Sequence, residues 1–209
     1  MSSVIKETPF IPSKDAVFTA HANAEINAPA SKVYGAIIDT ATWRIWSTFV
    51  PAVSIESHKA KTSKTIMTEG CKMTFNVHMK PSVKTVSKET CSLVSPPPKA
   101  DDPVGTVYRI CWKFTNSTTA PAFLIRAERV NEIEKLDDGR CSYRSWQTFG
   151  SMGAKVLKRT LGATLQDRLE DWVRDCKKFA EEGPPDIMVE TNMQDAKASM
   201  NPFTEGVHS

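Results

Sequence analysis

Apolar and polar positions change period along this chain, and each change marks an element. From Asp15 to Ile26, Phe18, Ala20, Ala22, Ala24 and Ile26 alternate with Thr19, His21, Asn23 and Glu25, the period of two that predicts a strand with one buried face. That face carries small residues, which leaves room for something thick to lie across it. Pro29 suits the first turn of a helix, and Val33, Tyr34, Ile37 and Ile38 form a short apolar stripe that Asp39 and Thr40 break. A second short helix carries Trp43, Ile45, Trp46 and Phe49 up to Pro51. From Ala52 to Phe149 the pattern is strands separated by turn chemistry. Cys71, Met73, Phe75, Val77 and Met79 alternate with Lys72, Thr74, Asn76 and His78, while Thr85 to Val94 is more polar and reads as a strand nearer an edge. The prolines between Ser95 and Pro103 require a loop. Tyr108, Ile110, Trp112 and Phe114 share one side of a strand, and the strands Phe123 to Lys135 and Arg140 to Phe149 are joined by the hairpin turn Leu136-Asp137-Asp138-Gly139.

The last change is to steps of three and four. Leu157, Leu161, Leu165, Leu169, Trp172, Cys176 and Phe179 line one face of a helix predicted over Ser151 to Glu182. It stops at Gly183-Pro184-Pro185, where Gly takes a left-handed cap and the prolines cannot continue. Residues 1–14 are polar and aperiodic and read as a flexible N-terminal arm; residues 15–183 form one domain; residues 184–209 read as a disordered C-terminal tail. Gly162 is where opening of the long helix is expected.

Composition narrows the function classes. A net charge of +3 from scattered lysines, without nucleic-acid motifs, gives no reason to expect a nucleic-acid partner. The five cysteines form no CxxC pair and sit in apolar alternation, so reduced, core-filling thiols are expected. No run approaches a membrane span and the start lacks a signal-peptide core, so no integral membrane segment and a cytoplasmic location are expected. The four histidines do not group into a metal site, and no GxGxxG, P-loop or nucleophile elbow occurs; no metal and no cofactor are expected. Oligomeric state has no sequence signal.

Ile26-Asn27-Ala28-Pro29-Ala30-Ser31-Lys32-Val33-Tyr34 through Trp43-Arg44-Ile45-Trp46 resembles the opening of the SRPBCC, or START-like (Bet v 1-like helix-grip), superfamily. Arg126 to Arg129 and Gly139 to Gly150 stand where that superfamily has its paired last strands, and the likeness is to its polyketide cyclase/dehydrase and lipid-transport branch. The resemblance implies an α+β helix-grip fold, a curved antiparallel β-sheet wrapped around a long C-terminal α-helix, with two short helices after the first strand. It also implies a cavity between sheet and helix for a hydrophobic molecule. Where many members carry a His on the sixth strand, this chain has Arg129 and Asn131.

Strand parity indicates what the cavity holds. Ile125, Ala127, Arg129, Asn131 and Ile133 share one face, and Arg126, Glu128, Val130, Glu132 and Glu134 share the other, read as the solvent face. On the partner strand Cys141, Tyr143, Ser145, Gln147 and Phe149 face inward. The expected result is a polar patch of Arg129, Asn131, Tyr143, Ser145 and Gln147 in an apolar cavity, with Trp46, Phe49, Phe75, Trp112, Leu161 and Leu165 as further ligand contacts. An inward guanidinium is costly unless paired. Arg129 therefore either orients an oxygen-rich ligand head or keeps its own head at the cavity mouth or on an acid of the helix. The aromatic residues Trp43, Trp46, Phe49 and Trp112 serve either as a cavity wall or as core. Three functions follow: a binder of a small hydrophobic, oxygen-bearing ligand of lipid, prenylated quinone or polyketide type; a cofactor-free polyketide cyclase or dehydratase, with Arg129 stabilising an enolate and Tyr143 as proton donor; or a non-catalytic interaction protein.

Overall fold

The computed structural model of the chain describes residues 4–57, 64–80, 83–117 and 124–184. Strands β1 (Ala16–Ile26), β2 (Ala52–Ser57), β3 (Lys72–Lys80), β4 (Val83–Val94), β5 (Val107–Ser117), β6 (Arg126–Lys135) and β7 (Cys141–Gly150) form one antiparallel sheet of seven, ordered β1-β7-β6-β5-β4-β3-β2. Helices α1 (Ala30–Ile38) and α2 (Trp43–Trp46) lie between β1 and β2, and α3 (Gly153–Glu182) crosses the concave face. This is the helix-grip architecture. The residues 185–209 expected as a tail lie outside the described ones, as do Phe123 and residues 1–3.

The helix fits because β1 offers it small residues. Phe18 and Ala20 are buried, and Ala22 and Ala24 pack against the core beside Leu165 and Phe179. β1 is an edge strand, whose free backbone groups need partners. Gln166 of α3 supplies them, accepting from the His21 N–H at 3.0 Å and donating to its carbonyl at 2.8 Å. Lys177 donates to the Glu25 carbonyl at 2.6 Å, so the helix is tied to that edge by polar contacts as well as apolar ones. At its end, Gly183 takes a φ of 85° and donates its N–H to the Phe179 carbonyl at 2.9 Å, the left-handed cap expected from the sequence.

The two halves of α3 are buried to different degrees. Leu169, Trp172, Val173, Cys176 and Ala180 are sealed in the core, whereas Leu161 is 37% exposed and Ala154 is the one buried residue of the first half. Trp172 stands among Trp43 at 4.8 Å, Trp46 at 4.7 Å and Trp112 at 6.1 Å between ring centroids. These edge-to-face and tilted contacts join α2, α3 and β5 into the main core. All five cysteines are buried and unbridged.

Three expectations are corrected. Residues 4–14 were expected to form part of a flexible arm, but instead lie against the convex face. Ile11 is fully buried, the Phe10 N–H donates to Glu128 at 2.6 Å, and the Trp146 indole donates to the Glu7 carbonyl at 3.0 Å. For the same reason the outer face of β6 is not a solvent face. Glu128 is fully buried, held by Phe10 and by the Ser92 hydroxyl at 2.5 Å, and Glu132 is covered by Arg109 and Arg144, which donate to it at 2.7 and 2.9 Å. Finally, β4 is not itself an edge strand: it pairs with both β3 and β5 and stands third from the β2 edge. Its polarity has another cause, which appears in the cavity.

Candidate functional site

Beneath the first half of α3, the sheet and helix enclose a cavity of about 170 Å³ that opens beside the exposed edge of Leu161. β3 contributes Phe75, Val77 and Met79; β5 contributes Trp112 and Phe114; β6 and β7 contribute Arg129, Gln147 and Phe149; α3 closes it with Leu157, Leu161 and Leu165. Phe49, after α2, completes one wall. A cavity of roughly 150 Å³ accepts one benzene-sized ring. The enclosed part therefore suits one small ring, with any tail leaving through the mouth.

Arg129 is the polar centre of this wall. It is 2% exposed, and its guanidinium lies 4.3 Å from the Trp172 ring centroid, 5.6 Å from Trp112 and 5.7 Å from Phe49. Stacking on ring faces stabilises a cation without a counter-ion. Its Nε–H donates to Ser145 at 3.2 Å, while Nη2 is buried without a hydrogen-bond partner among the described residues. Burial pushes its pKa down to about 10, opposed by the nearby Tyr143 and Glu89. At neutral pH it is a buried cation whose Nη2 amino group has no acceptor among the described residues.

The other members of the expected polar patch have separate fates. Asn131, Tyr143 and Ser145 are fully buried but do not line the cavity. They form a closed chain. The Trp172 indole donates to the Tyr143 hydroxyl at 2.7 Å, that hydroxyl donates to Asn131 at 2.7 Å, and Ser145 donates to the same Asn131 oxygen at 3.0 Å. Asn131 in turn donates to the Ile110 carbonyl at 3.2 Å. Burial raises the Tyr143 pKa, and its proton is already committed to Asn131, so the candidate proton donor holds Arg129's support in place instead. Trp46 is also displaced from the cavity: it packs on Trp172 and Phe179, beside a separate surface cleft near the end of α3. Phe49, Phe75, Trp112, Arg129, Gln147, Leu161 and Leu165 do come together on the cavity wall.

Sequence reasoning missed Glu89. This β4 carboxyl is 6% exposed, lines the cavity and accepts a short hydrogen bond from Ser87. Burial pushes its pKa up to about 8, against the opposing effects of Ser87 and Arg129. No ion pair joins it to Arg129, although both face the same space. One signal was available: Glu89 stands two residues before Cys91, an apolar inward position, so parity puts it on the inner face.

No family model matches the chain. A curated relative, the oxopyrrolidines biosynthesis cluster protein O of Penicillium oxalicum, is 30% identical over 188 residues, spanning 83% of this chain and 92% of that protein. Among solved structures, a hypothetical protein of Helicobacter pylori superposes with a TM-score of 0.63 at 11% identity, covering 87% of this chain and 98% of that one. The di-domain ARO/CYC protein StfQ of the steffimycin biosynthetic pathway gives a TM-score of 0.52 at 12% identity, covering 77% of this chain and 44% of that one. The chain thus has the START-like, or SRPBCC, fold and belongs to the family of the Penicillium oxalicum oxopyrrolidines biosynthesis cluster protein O.

Proposed function

We propose that this protein binds a small, largely apolar ligand bearing a carbonyl oxygen, with the oxygen on Arg129 and the ring between β3, β5 and α3. The observation that carries this reading is the buried Nη2 of Arg129, a residue of a largely apolar cavity wall, which has no hydrogen-bond partner among the described residues. Such a group costs free energy until something accepts from it. Apolar burial supplies the affinity and the guanidinium the orientation. The relative's name points the same way, since an oxopyrrolidine is a small ring with one carbonyl oxygen or more, of a size the cavity accommodates.

The test uses γ-octalactone, a carbonyl-bearing ring with a short tail, titrated calorimetrically into wild-type protein and Arg129→Met. Hydrogen bonds to charged groups contribute roughly 1.5–3 kcal/mol, so the substitution is expected to weaken binding by about 10- to 100-fold. Equal affinity in the two proteins, or no binding to either, overturns the reading.

One observation favours a second reading, a cofactor-free cyclase or dehydratase. The same cavity holds a carboxyl titrating at about 8, suited to taking or giving a proton near neutral pH. In that case Glu89, rather than Tyr143, moves the proton while Arg129 stabilises the enolate. Exchange of the α-protons of cyclopentanone in D2O, faster with wild-type protein than with Glu89→Gln, would distinguish it from binding alone.

A further inference from the structure

Two ionisable groups, Arg129 and Glu89, share this cavity without forming an ion pair. Arg129 on β6 and Glu89 on β4 are separated by β5, which places their backbones about 10 Å apart across the sheet at ordinary strand spacing. Arg129 pairs with Trp112, Trp112 with Cys91, and Glu89 lies two residues from Cys91, a further offset of about 7 Å along the strand. Both residues line the same cavity, and Trp112 and Phe114 of β5 line it between them. Arg129 Nη2 has no acceptor among the described residues, and Glu89 accepts a hydrogen bond from the Ser87 hydroxyl at one of its two oxygens. Gln147 and Thr85 are the other polar residues of the lining besides Ser87, and the rest of it, including Phe75, Val77, Leu161 and Leu165, is apolar.

Resting on the proposed carbonyl-binding role of Arg129, we infer that Glu89 is the second polar contact of the site. It selects ligands in which an N–H or O–H donor stands next to the carbonyl. A lactam or a hydroxy-enone presents this adjacent pair: its oxygen accepts from Arg129 Nη2 and its N–H or O–H is donated to the carbonyl oxygen of the Glu89 carboxyl. A lactone of the same shape satisfies Arg129 and leaves Glu89 unmet. A site built to hydrogen-bond a donor rejects the analogue that lacks it, because a buried acceptor is then left unpaired.

The experiment compares γ-octalactam, N-methyl-γ-octalactam and γ-octalactone, alike in ring and tail, by calorimetric titration of the full chain. Wild type is expected to bind the N–H lactam at least about 10-fold more tightly than the other two, the selectivity that one buried hydrogen bond left unmade would give. Glu89→Met is expected to bind all three alike, whereas Arg129→Met is expected to weaken all three and keep the lactam preference. A cooperative thermal transition of each variant establishes that it is folded before its binding is compared. If wild type binds lactam and lactone equally while Arg129→Met weakens both, the role of Glu89 is overturned and the carbonyl reading stands. If Arg129→Met changes nothing, or no probe binds, the carbonyl reading fails and takes this inference with it. A lactam preference that survives in Glu89→Met also overturns it.

Discussion

Glu89 is a carboxyl in surroundings its type disfavours, nearly buried on the wall of a largely apolar cavity. A carboxyl titrating at about 8 in the folded protein, against an ordinary 4.5, holds its proton better in the native state than in the unfolded one. The stability this contributes is complete below about pH 4.5 and is lost as pH rises to about 8, beyond which the curve is flat. The groups facing it are Ser87 and Arg129, with Phe114 beside it, and none of them reverses that sign. Urea titrations are therefore expected to show wild type losing stability between about pH 5 and about pH 8, by at most about 1.4 kcal/mol per pH unit. Glu89→Gln, which cannot ionise, should lack that slope, so the stability gap between the two proteins changes with pH in its favour. Parallel profiles would mean Glu89 titrates normally. Residue-level reading of the sequence found Arg129 but not this carboxyl, because a strand with Thr85, Ser87, Lys88 and Glu89 reads as exposed when only composition is weighed. It also placed Asn131, Tyr143 and Ser145 in the cavity. Parity selects a face of the sheet but not the depth along it, and these residues lie under the sealed half of α3.

Among the elements, α3 and the N-terminal segment behave differently from their sequence patterns. The apolar stripe of α3 is continuous from Leu157 to Phe179, yet the sheet seals only its second half, and the first half roofs a cavity. Periodicity shows which side of a helix is apolar; whether that side meets close-packed side chains or open space is decided by the facing strands. Gly162 sits in the roof, and a Cβ added there meets nothing nearer than Lys158 Cγ at 3.7 Å. Gly162→Ala should thus stabilise the helix by roughly 0.5–1 kcal/mol through backbone entropy. Hydrogen exchange in wild type is expected to be faster over the turns around Gly162 than around Trp172, with the alanine variant slowing the former; uniform protection along α3 would contradict a separately opening roof. The N-terminal segment has no period at all, so its docking was not legible: what holds it is a set of tertiary contacts to Glu128, Trp146 and a pocket for Ile11. Ile11→Ala is expected to cost about 2–4 kcal/mol, as for other buried aliphatic residues. A loss under about 0.5 kcal/mol, the usual size for a surface change, would show that the segment contributes nothing to the fold.

At the scale of the whole molecule, the core and the candidate site are parts of one structure, joined at Trp172. Its ring packs on Trp43, Trp46 and Trp112, its face supports Arg129, and its indole N–H starts the hydrogen-bonded chain through Tyr143 and Asn131 to Ser145, which receives Arg129 Nε–H. The fold class, the strand sequence and the grip of the last helix were legible because each follows from a local period and a turn. This junction was not, since it depends on residues from α2, α3, β5, β6 and β7 meeting at one point. A double-mutant cycle on Trp172→Phe and Tyr143→Phe isolates it. Tyr143→Phe strands a buried indole N–H and should cost about 1–3 kcal/mol; Trp172→Phe removes the same hydrogen bond together with part of the ring packing. The double variant leaves neither partner orphaned, so its loss should fall short of the sum of the singles by about 1 kcal/mol, where independent sites add to within about 0.5 kcal/mol. Binding of γ-octalactone should respond unequally: Trp172→Phe removes part of the ring on which Arg129 stacks, whereas Tyr143→Phe acts on Arg129 only through Trp172, Asn131 and Ser145 and should weaken binding less. Additive stabilities together with equal binding losses would show that the two residues act separately, and that the core does not hold the guanidinium in position.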